Sequence, residues 1–145
     1  MTASFGAADK ELVARKLQQL EEYLRELEEA TPGAYESYAA DTIRKRAVER
    51  LLQLCIECAS DINAHMLAKS AGVAPADYYM SFIMAGDRGL IPVELASELA
   101  PSAGLRNKLV HEYGVVDDRL VYESVSKTAL LFPRYIRAVK NYMEK

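Results

Sequence analysis

The stretch Tyr38–Lys69, YAADTIRKRAVERLLQLCIECASDINAHMLAK, decides the fold of this 145-residue chain. It contains neither proline nor glycine, and residues recur along it at steps of three and four: Ile43, Ala47, Leu51, Leu54, Cys58, Ile62 and His65. This spacing is typical of an α-helix that packs one face against a core. We therefore predict one long central helix over the whole stretch, closed by Ser70-Ala71-Gly72.

Helical periodicity also governs the regions on either side of this stretch. On the N-terminal side, Val13, Leu17, Leu20, Leu24 and Leu27 predict a helix that stops at Thr31-Pro32-Gly33. On the C-terminal side, the last helix is expected to begin near Asp117-Asp118 and to be kinked at Pro133. Its predicted core positions are Val121, Val125, Ala129, Phe132, Ile136 and Val139.

Shorter helices are predicted between the two long helices. One should begin at Pro75-Ala76-Asp77 and end at Gly86 and Gly89, one should open at Pro92, and one should run from Pro101-Ser102 through Val110. No segment alternates with period two for long enough to indicate a strand. The expected fold class is all-α: a bundle of three long helices and two or more shorter ones, in a single domain over residues 1–145.

Composition and charge narrow the function. The chain is 50% hydrophobic with a net charge of −3, so it is not a polycation, and a nucleic-acid contact would need a local basic patch or groove. The N-terminus lacks the pattern of a signal peptide, and no apolar run approaches the roughly 20 residues that span a bilayer. These features predict a cytoplasmic protein with no membrane contact.

Three further sequence patterns are better explained by packing or solvation than by a functional role. Cys55 and Cys58 form a C-x-x-C in the middle of a helix, where buried packing is favoured over a redox or zinc site. The segment 75–100 resembles a helix-turn-helix only superficially, because its second helix offers no basic residue to face phosphates. The basic cluster at the start of the central helix is expected to be a solvated patch rather than a phosphate site: Arg44, Lys45, Arg46 and Arg50.

The stretch LRNKLVHEYGVVDDRLV, Leu105–Val121, concentrates polar residues that carry chemistry. Asn107 and His111 are four residues apart and share a helix face, while Gly114 suggests that the helix ends close by. A histidine can take or give a proton at neutral pH, and Arg106 can hold a phosphate with two hydrogen bonds. Metal-free cleavage of RNA through its own 2′-hydroxyl requires both functions.

The same residues also fit a purely structural interpretation, in which the histidine and the arginine pair at a helix end. A single histidine is a weak acid–base site, since two proton transfers are needed. A homodimer would supply the second histidine.

The motif Arg106-Asn-Lys-Leu-Val-His111-Glu-Tyr113 resembles the R-x4-H-x-Y motif of the HepT toxins, a branch of the HEPN superfamily. The run Ile43–Arg50, the segment Asp61–His65 and the continuation through Tyr122 fit that family as well. The resemblance extends over most of the chain from about residue 38 onward. It implies a HEPN-type helical bundle.

For function, the resemblance implies the toxin of a type II toxin–antitoxin system, acting as a metal-independent endoribonuclease with no cofactor. Arg106 and His111 would be catalytic in the cleft of a homodimer, with Asn107 in support. A minimal nucleotidyltransferase of the MntA type would be the antitoxin, neutralising the toxin by transferring AMP from ATP to Tyr113. The alternatives are a non-catalytic HEPN partner or substrate-binding subunit of a nucleotidyltransferase, and a structural bundle without a site.

Overall fold

The computed structural model describes residues 5–111 and 116–145, and these form seven helices. Three are long, as predicted, and four are short. The bounds are α1 Ala7–Ala30, α2 Tyr35–Ala39, α3 Thr42–Ala71, α4 Tyr78–Asp87, α5 Val93–Leu99, α6 Ser102–His111 and α7 Asp118–Met143. The predicted all-α fold class is thus confirmed. Within the described ranges, no helix has the length and apolarity needed to cross a bilayer.

The long helix α3 is the centre of the bundle, and it contacts each of the helices α1, α2, α4, α6 and α7. Its N-terminus differs from the prediction. Asp41 caps α3 by accepting a hydrogen bond from the Arg44 backbone N–H at 3.0 Å, so the helix begins at Thr42 rather than at Tyr38. Tyr38 belongs instead to the separate short helix α2 and is buried.

The side of α3 that is buried also differs from the predicted one. The predicted face begins at Ile43, whose side chain is 80% exposed, and Leu51 and Leu54 are only partly buried. The fully buried positions are Val48, Leu52, Cys55, Ile56, Ala59, Ile62, Met66 and Leu67. The prediction was correct for Ile62 and wrong for Ile43, because α3 carries apolar residues on two neighbouring faces and the predicted one is covered only in part within the monomer.

The two other long helices pack largely as predicted. In α1, Val13, Leu17, Leu20 and Leu27 are buried and Leu24 is partly buried. Asp117 caps α7 by accepting hydrogen bonds from the backbone N–H groups of Arg119 and Leu120. The helix runs through Pro133, and Thr128 rather than the predicted Ala129 faces the core.

A buried polar network joins three helices in the middle of the core. The Tyr135 hydroxyl of α7 lies 2.6 Å from Asn63 Oδ1 and 3.0 Å from the Ala59 carbonyl oxygen, both acceptors on α3. Asn63 Nδ2 donates to Ser81 Oγ of α4 at 3.3 Å. Burial raises the pKa of Tyr135, so the ring stays a neutral hydrogen-bond donor. The network fixes the register of α3, α4 and α7.

The glycines predicted to end α4 have two different roles. Gly89 has φ +72° and follows the helix, which is the left-handed conformation expected after a helix end. Gly86 lies inside α4, and a Cβ added there would be 2.5 Å from the Ala96 Cβ of α5. Gly86 therefore permits close packing of α4 on α5 and does not end the helix.

Gly86→Ala should destabilise the fold by roughly 1–3 kcal/mol, because the added methyl overlaps Ala96 in a closely packed contact. Gly104→Ala is the matched control, since it is also a helical glycine but has no atom within 4 Å of the added Cβ. That control should be neutral or stabilising by up to about 1 kcal/mol. Urea unfolding of both variants measures the difference, and equal stability of the two would contradict the packing role of Gly86.

Candidate functional site

The predicted site begins with Arg106, which α6 directs against two other helices. Its Nε donates to Glu57 Oε2 of α3 at 2.8 Å, and its guanidinium carbon lies 4.5 Å from the centre of the Tyr78 ring of α4. Glu57 also accepts a hydrogen bond from Gln53 Nε2 at 3.0 Å. We call Arg106, Glu57 and Tyr78 the arginine clamp. An ion pair and a cation–π contact together restrict where the guanidinium can point.

The clamp leaves a defined part of the guanidinium available. Nε is used by Glu57, and Nη1 lies 3.5 Å from Asn107 Oδ1, which is a long and weak contact. The remaining N–H groups of the two terminal nitrogens form the end-on fork that pairs with two oxygens of a phosphate. The Arg106 side chain is 17% exposed, so the clamp does not enclose it completely.

His111 is the last residue of α6 and is exposed. It lies five residues after Arg106, which on an α-helix corresponds to a turn of about 140° and a rise of about 7.5 Å. Within the described residues, no hydrogen bond joins the two side chains. Arg106 therefore points towards α3 and α4, whereas His111 is displayed at the end of α6. Asn107 is exposed beside Arg106.

The fourth predicted residue, Tyr113, lies outside the described residues. Two members of the clamp were missed in the sequence. Neither is among the site residues predicted from the sequence: Tyr78 opens the short helix α4, and Glu57 lies in the middle of the C-x-x-C. A signal for Glu57 existed, because it is the only charged residue in the apolar run Leu51–Ser60. Its partner Arg106 is 49 residues away, which no local pattern reveals.

The two cysteines behave as predicted for packing residues. Both are free; Cys55 is buried, and Cys58 Sγ lies 3.3 Å from the Lys16 carbonyl oxygen as a hydrogen-bond donor. Burial raises the pKa of the Cys55 thiol to about 12 and that of Cys58 to about 11. Neither thiol is therefore a thiolate at neutral pH.

The basic cluster at the start of α3 is engaged in structural contacts. Arg44 donates to the carbonyl oxygens of Glu29 and Ala30, which terminate α1, at 3.1 and 3.2 Å. Lys45 pairs with Asp118 at 3.1 Å and so ties α3 to the start of α7. Arg46 pairs with Glu49 at 2.9 Å. Three of the four basic residues of the cluster therefore contact a carboxylate or a carbonyl oxygen.

The second histidine of the chain also has a structural partner. His65 Nε2 lies 3.1 Å from Asp9 Oδ1, and Lys69 Nζ approaches the same oxygen at 3.7 Å. The hydrogen bond from the Gly6 N–H lowers the pKa of Asp9, and Lys69 and His65 lower it further. This group joins α1 to the C-terminal part of α3. In the part of the chain that the structure describes, no three His, Cys, Asp or Glu side chains are placed to hold a metal ion.

Comparison with known proteins adds two sequence findings. The model of the family described as "Ribonuclease HepT-like" matches residues 20–141. A curated relative from Aphanizomenon flos-aquae, named tRNA nuclease HepT, is 33% identical over 132 residues, which cover 91% of this chain and 90% of the relative.

Two solved structures of similar shape come from toxin–antitoxin complexes. One is the tri-AMPylated HEPN toxin of Shewanella oneidensis in complex with its MNT antitoxin, with a TM-score of 0.81, 23% identity and coverage of 89% of this chain and 96% of that one. Another is a toxin–antitoxin with AMP-PNP, with a TM-score of 0.82, 22% identity and coverage of 90% and 98%. At these identities, the likeness shows the shared fold.

Proposed function

Because the chain belongs to the ribonuclease HepT-like family, we propose that it is the endoribonuclease toxin of a type II toxin–antitoxin system and cleaves RNA at Arg106 and His111. The predicted family and its HEPN-type ribonuclease class are confirmed by the family match and by the curated relative. The main support for this site is the arginine clamp, in which an ion pair and a cation–π contact orient the Arg106 guanidinium.

Each proposed residue has one task in the reaction. A His111 imidazole accepts the proton of the ribose 2′-hydroxyl, whose oxygen then attacks the adjacent phosphorus. The bond from phosphorus to the 5′-oxygen breaks, and this oxygen receives a proton from a second imidazole. The products are a 2′,3′-cyclic phosphate and a 5′-hydroxyl. Arg106 stabilises the charge that develops on the two non-bridging oxygens.

The clamp suits Arg106 to this task because it removes alternative positions of the side chain. An arginine on a free surface samples many rotamers and must be ordered when a phosphate binds. Glu57 and Tyr78 fix the guanidinium beforehand and leave its end-on fork available. A fixed donor that needs no reorganisation during the reaction stabilises the transition state more than the ground state.

The geometry of α6 favours a site built from two protomers. The Arg106 and His111 positions of one helix are about 140° apart in azimuth, so one protomer presents them in different directions. Two imidazoles are needed for base and acid. A homodimer with two-fold symmetry provides a second arginine and a second histidine at the same interface.

The partly covered face of α3 that begins at Ile43 is a suitable surface for this homodimer. Ile43, Ala47 and Leu54 lie within about 40° of one another around the helix, and Glu57 continues the same face into the arginine clamp. Ile43 is 80% exposed, although isoleucine is among the residues most often buried. A second copy covering this face would bury Ile43 and lie beside Arg106.

Sedimentation at micromolar concentration should therefore give the mass of a dimer.

The cognate antitoxin would be a minimal nucleotidyltransferase of the MntA type that transfers AMP from ATP to Tyr113. The support for this is the motif itself, with Tyr113 two residues after His111. One AMP adds a phosphodiester charge and a purine close to the catalytic residues in the sequence. Its phosphate would pair with Arg106 in place of the scissile phosphate, and the base would obstruct access.

Replacing either catalytic residue should abolish growth arrest and RNA cleavage while the fold remains intact. We expect His111→Ala to lower kcat by about 10²–10⁴-fold and Arg106→Ala by about 10²–10³-fold, from the lost proton transfer and the lost charge stabilisation. The assay incubates each purified variant with RNA in EDTA and identifies the 2′,3′-cyclic product. Arg88→Ala, an exposed arginine after α4, is the control and should retain activity. If both alanine variants cleaved RNA as fast as the wild type, Arg106 and His111 would not be catalytic, and the alternative of a non-catalytic partner would be favoured.

Glu57 is expected to act as a positioning residue for Arg106. Glu57→Ala should lower kcat by roughly tenfold or more, because a displaced guanidinium misses the phosphate. Glu57→Gln should restore much of the loss, since the amide oxygen still accepts from Nε. Glu49→Ala, which breaks the exposed ion pair with Arg46 on the same helix, should change neither kcat nor KM. Unchanged kcat in a folded Glu57→Ala variant would rule out the positioning role.

Co-expression with the nucleotidyltransferase should raise the intact mass in steps of one AMP, and the adduct should map to the peptide containing Tyr113. Tyr113→Phe should lose the adduct and, if it still cleaves RNA, escape neutralisation. Tyr79→Phe is the control, because Tyr79 is 49% exposed and offers a hydroxyl to the same enzyme. Adducts on Tyr78, Tyr79 or Tyr122 in place of Tyr113 would overturn the assignment.

A further inference from the structure

The C-terminal half of the chain contains a basic face that the proposed chemistry does not use. From Ser124 to Met143, α7 contains four basic residues and no aspartate or glutamate. Three of them lie on one side of the helix, at spacings that keep them within about 80° of azimuth, and Lys145 follows two residues after the helix ends. We call these residues the α7 stripe: Lys127, Arg134, Arg137 and Lys145.

The side chains of the stripe are exposed to solvent and are not paired with carboxylates in the described part of the structure. All four side chains belong to exposed residues, and none takes part in an ion pair within residues 5–111 and 116–145. Lys140, on the neighbouring side of α7, is paired with Glu21 at 3.5 Å and therefore does not belong to the stripe. This contrasts with the basic cluster of α3, in which Arg44, Lys45 and Arg46 each contact a carboxylate or a carbonyl oxygen.

The stripe leads towards the catalytic helix. Lys127 lines one wall of a cleft of about 290 Å³ between α6 and α7, and Lys108 lines the other wall. Lys108 precedes His111 by three residues, so the two share one side of α6. At its other end, the stripe borders a second cleft of about 660 Å³ between α5 and α7, which Arg134 and Arg137 line. Basic residues thus occur on α6 beside His111, at the cleft between α6 and α7, and along α7 to the C-terminus.

We propose that the α7 stripe, continued by Lys108, binds the phosphate backbone of an RNA whose scissile phosphate lies at His111. This inference rests on the proposed function and extends it to a substrate longer than the few nucleotides at the site. At 1.5 Å per residue, Lys127 and Arg137 are about 15 Å apart along the helix, and Lys145 lies beyond its end. A row of cations of that length, without specific pockets, fits a repeating polyanion, and arginine and lysine are the residues that proteins use for phosphate contacts.

Two acidic residues near the stripe indicate on which side of α7 the RNA backbone lies. Glu94 and Glu98 of α5 line the wall of the larger cleft that faces Arg134 and Arg137. These carboxylates would repel phosphates inside the cleft, so the backbone lies along the outer side of α7. Leu130, 55% exposed between Lys127 and Arg134, offers an apolar surface to a ribose or a base.

The test measures RNA binding in the His111→Ala background, in which cleavage does not disturb the equilibrium. A fluorescein-labelled RNA stem–loop is titrated with the full-length protein, and anisotropy is recorded at several salt concentrations. Arg134→Gln with Arg137→Gln should weaken binding by roughly tenfold at low salt and reduce the slope of log K against log salt by about 1.4. The matched control, Arg15→Gln with Arg25→Gln, removes the same charge from exposed positions of α1 and should leave both quantities unchanged.

The outcomes separate this inference from the function on which it rests. If the parent protein does not bind the RNA, the proposed ribonuclease function fails together with the stripe. If the parent binds and both double variants bind equally tightly, only the stripe is refuted. Loss of co-purification with the nucleotidyltransferase, with RNA binding unchanged, would make the stripe a protein interface and would also refute the proposal. Thermal unfolding of each variant confirms that the fold is retained.

Discussion

The structure depends on covering the central helix α3 with other helices. Thirty residues long, it carries apolar side chains around much of its circumference, and such a helix cannot remain exposed to water. Helices α1, α4, α6 and α7 cover one side, and the buried hydrogen bonds of Asn63 with Tyr135 and Ser81 set how two of them are placed. The site is a result of this arrangement, because Arg106 reaches Glu57 only when α6 lies against α3.

Much of the fold was predictable because helix ends carry strong local signals. Asp77, Pro92 and Asp117 stand at helix starts as predicted, and Val13, Leu17 and Leu20 form the buried stripe of α1. Local signals failed where tertiary contacts decide. The two apolar faces of α3 have the same period, so periodicity alone could not tell which of them the monomer buries.

The candidate site shows the same division between local and distant information. The motif placed Arg106, Asn107 and His111 on one helix, and α6 contains all three. The clamp could not be predicted, because Glu57 and Tyr78 come from two other helices that meet Arg106 only in the folded bundle. The spacing of the motif places the arginine and histidine positions about 140° apart around α6. That divergence is an argument for completing the site across two protomers.

The net charge of −3 conceals an uneven distribution that bears on function. Helix α1 carries seven acidic and four basic residues, whereas α7 carries five basic and two acidic ones. Charges of opposite sign on different faces nearly cancel in the sum, but at physiological salt each acts only over about 8 Å. A ligand near α7 therefore experiences the local positive charge rather than the net negative one. A nearly neutral composition is compatible with RNA binding at a surface where basic residues outnumber acidic ones, as they do on α7.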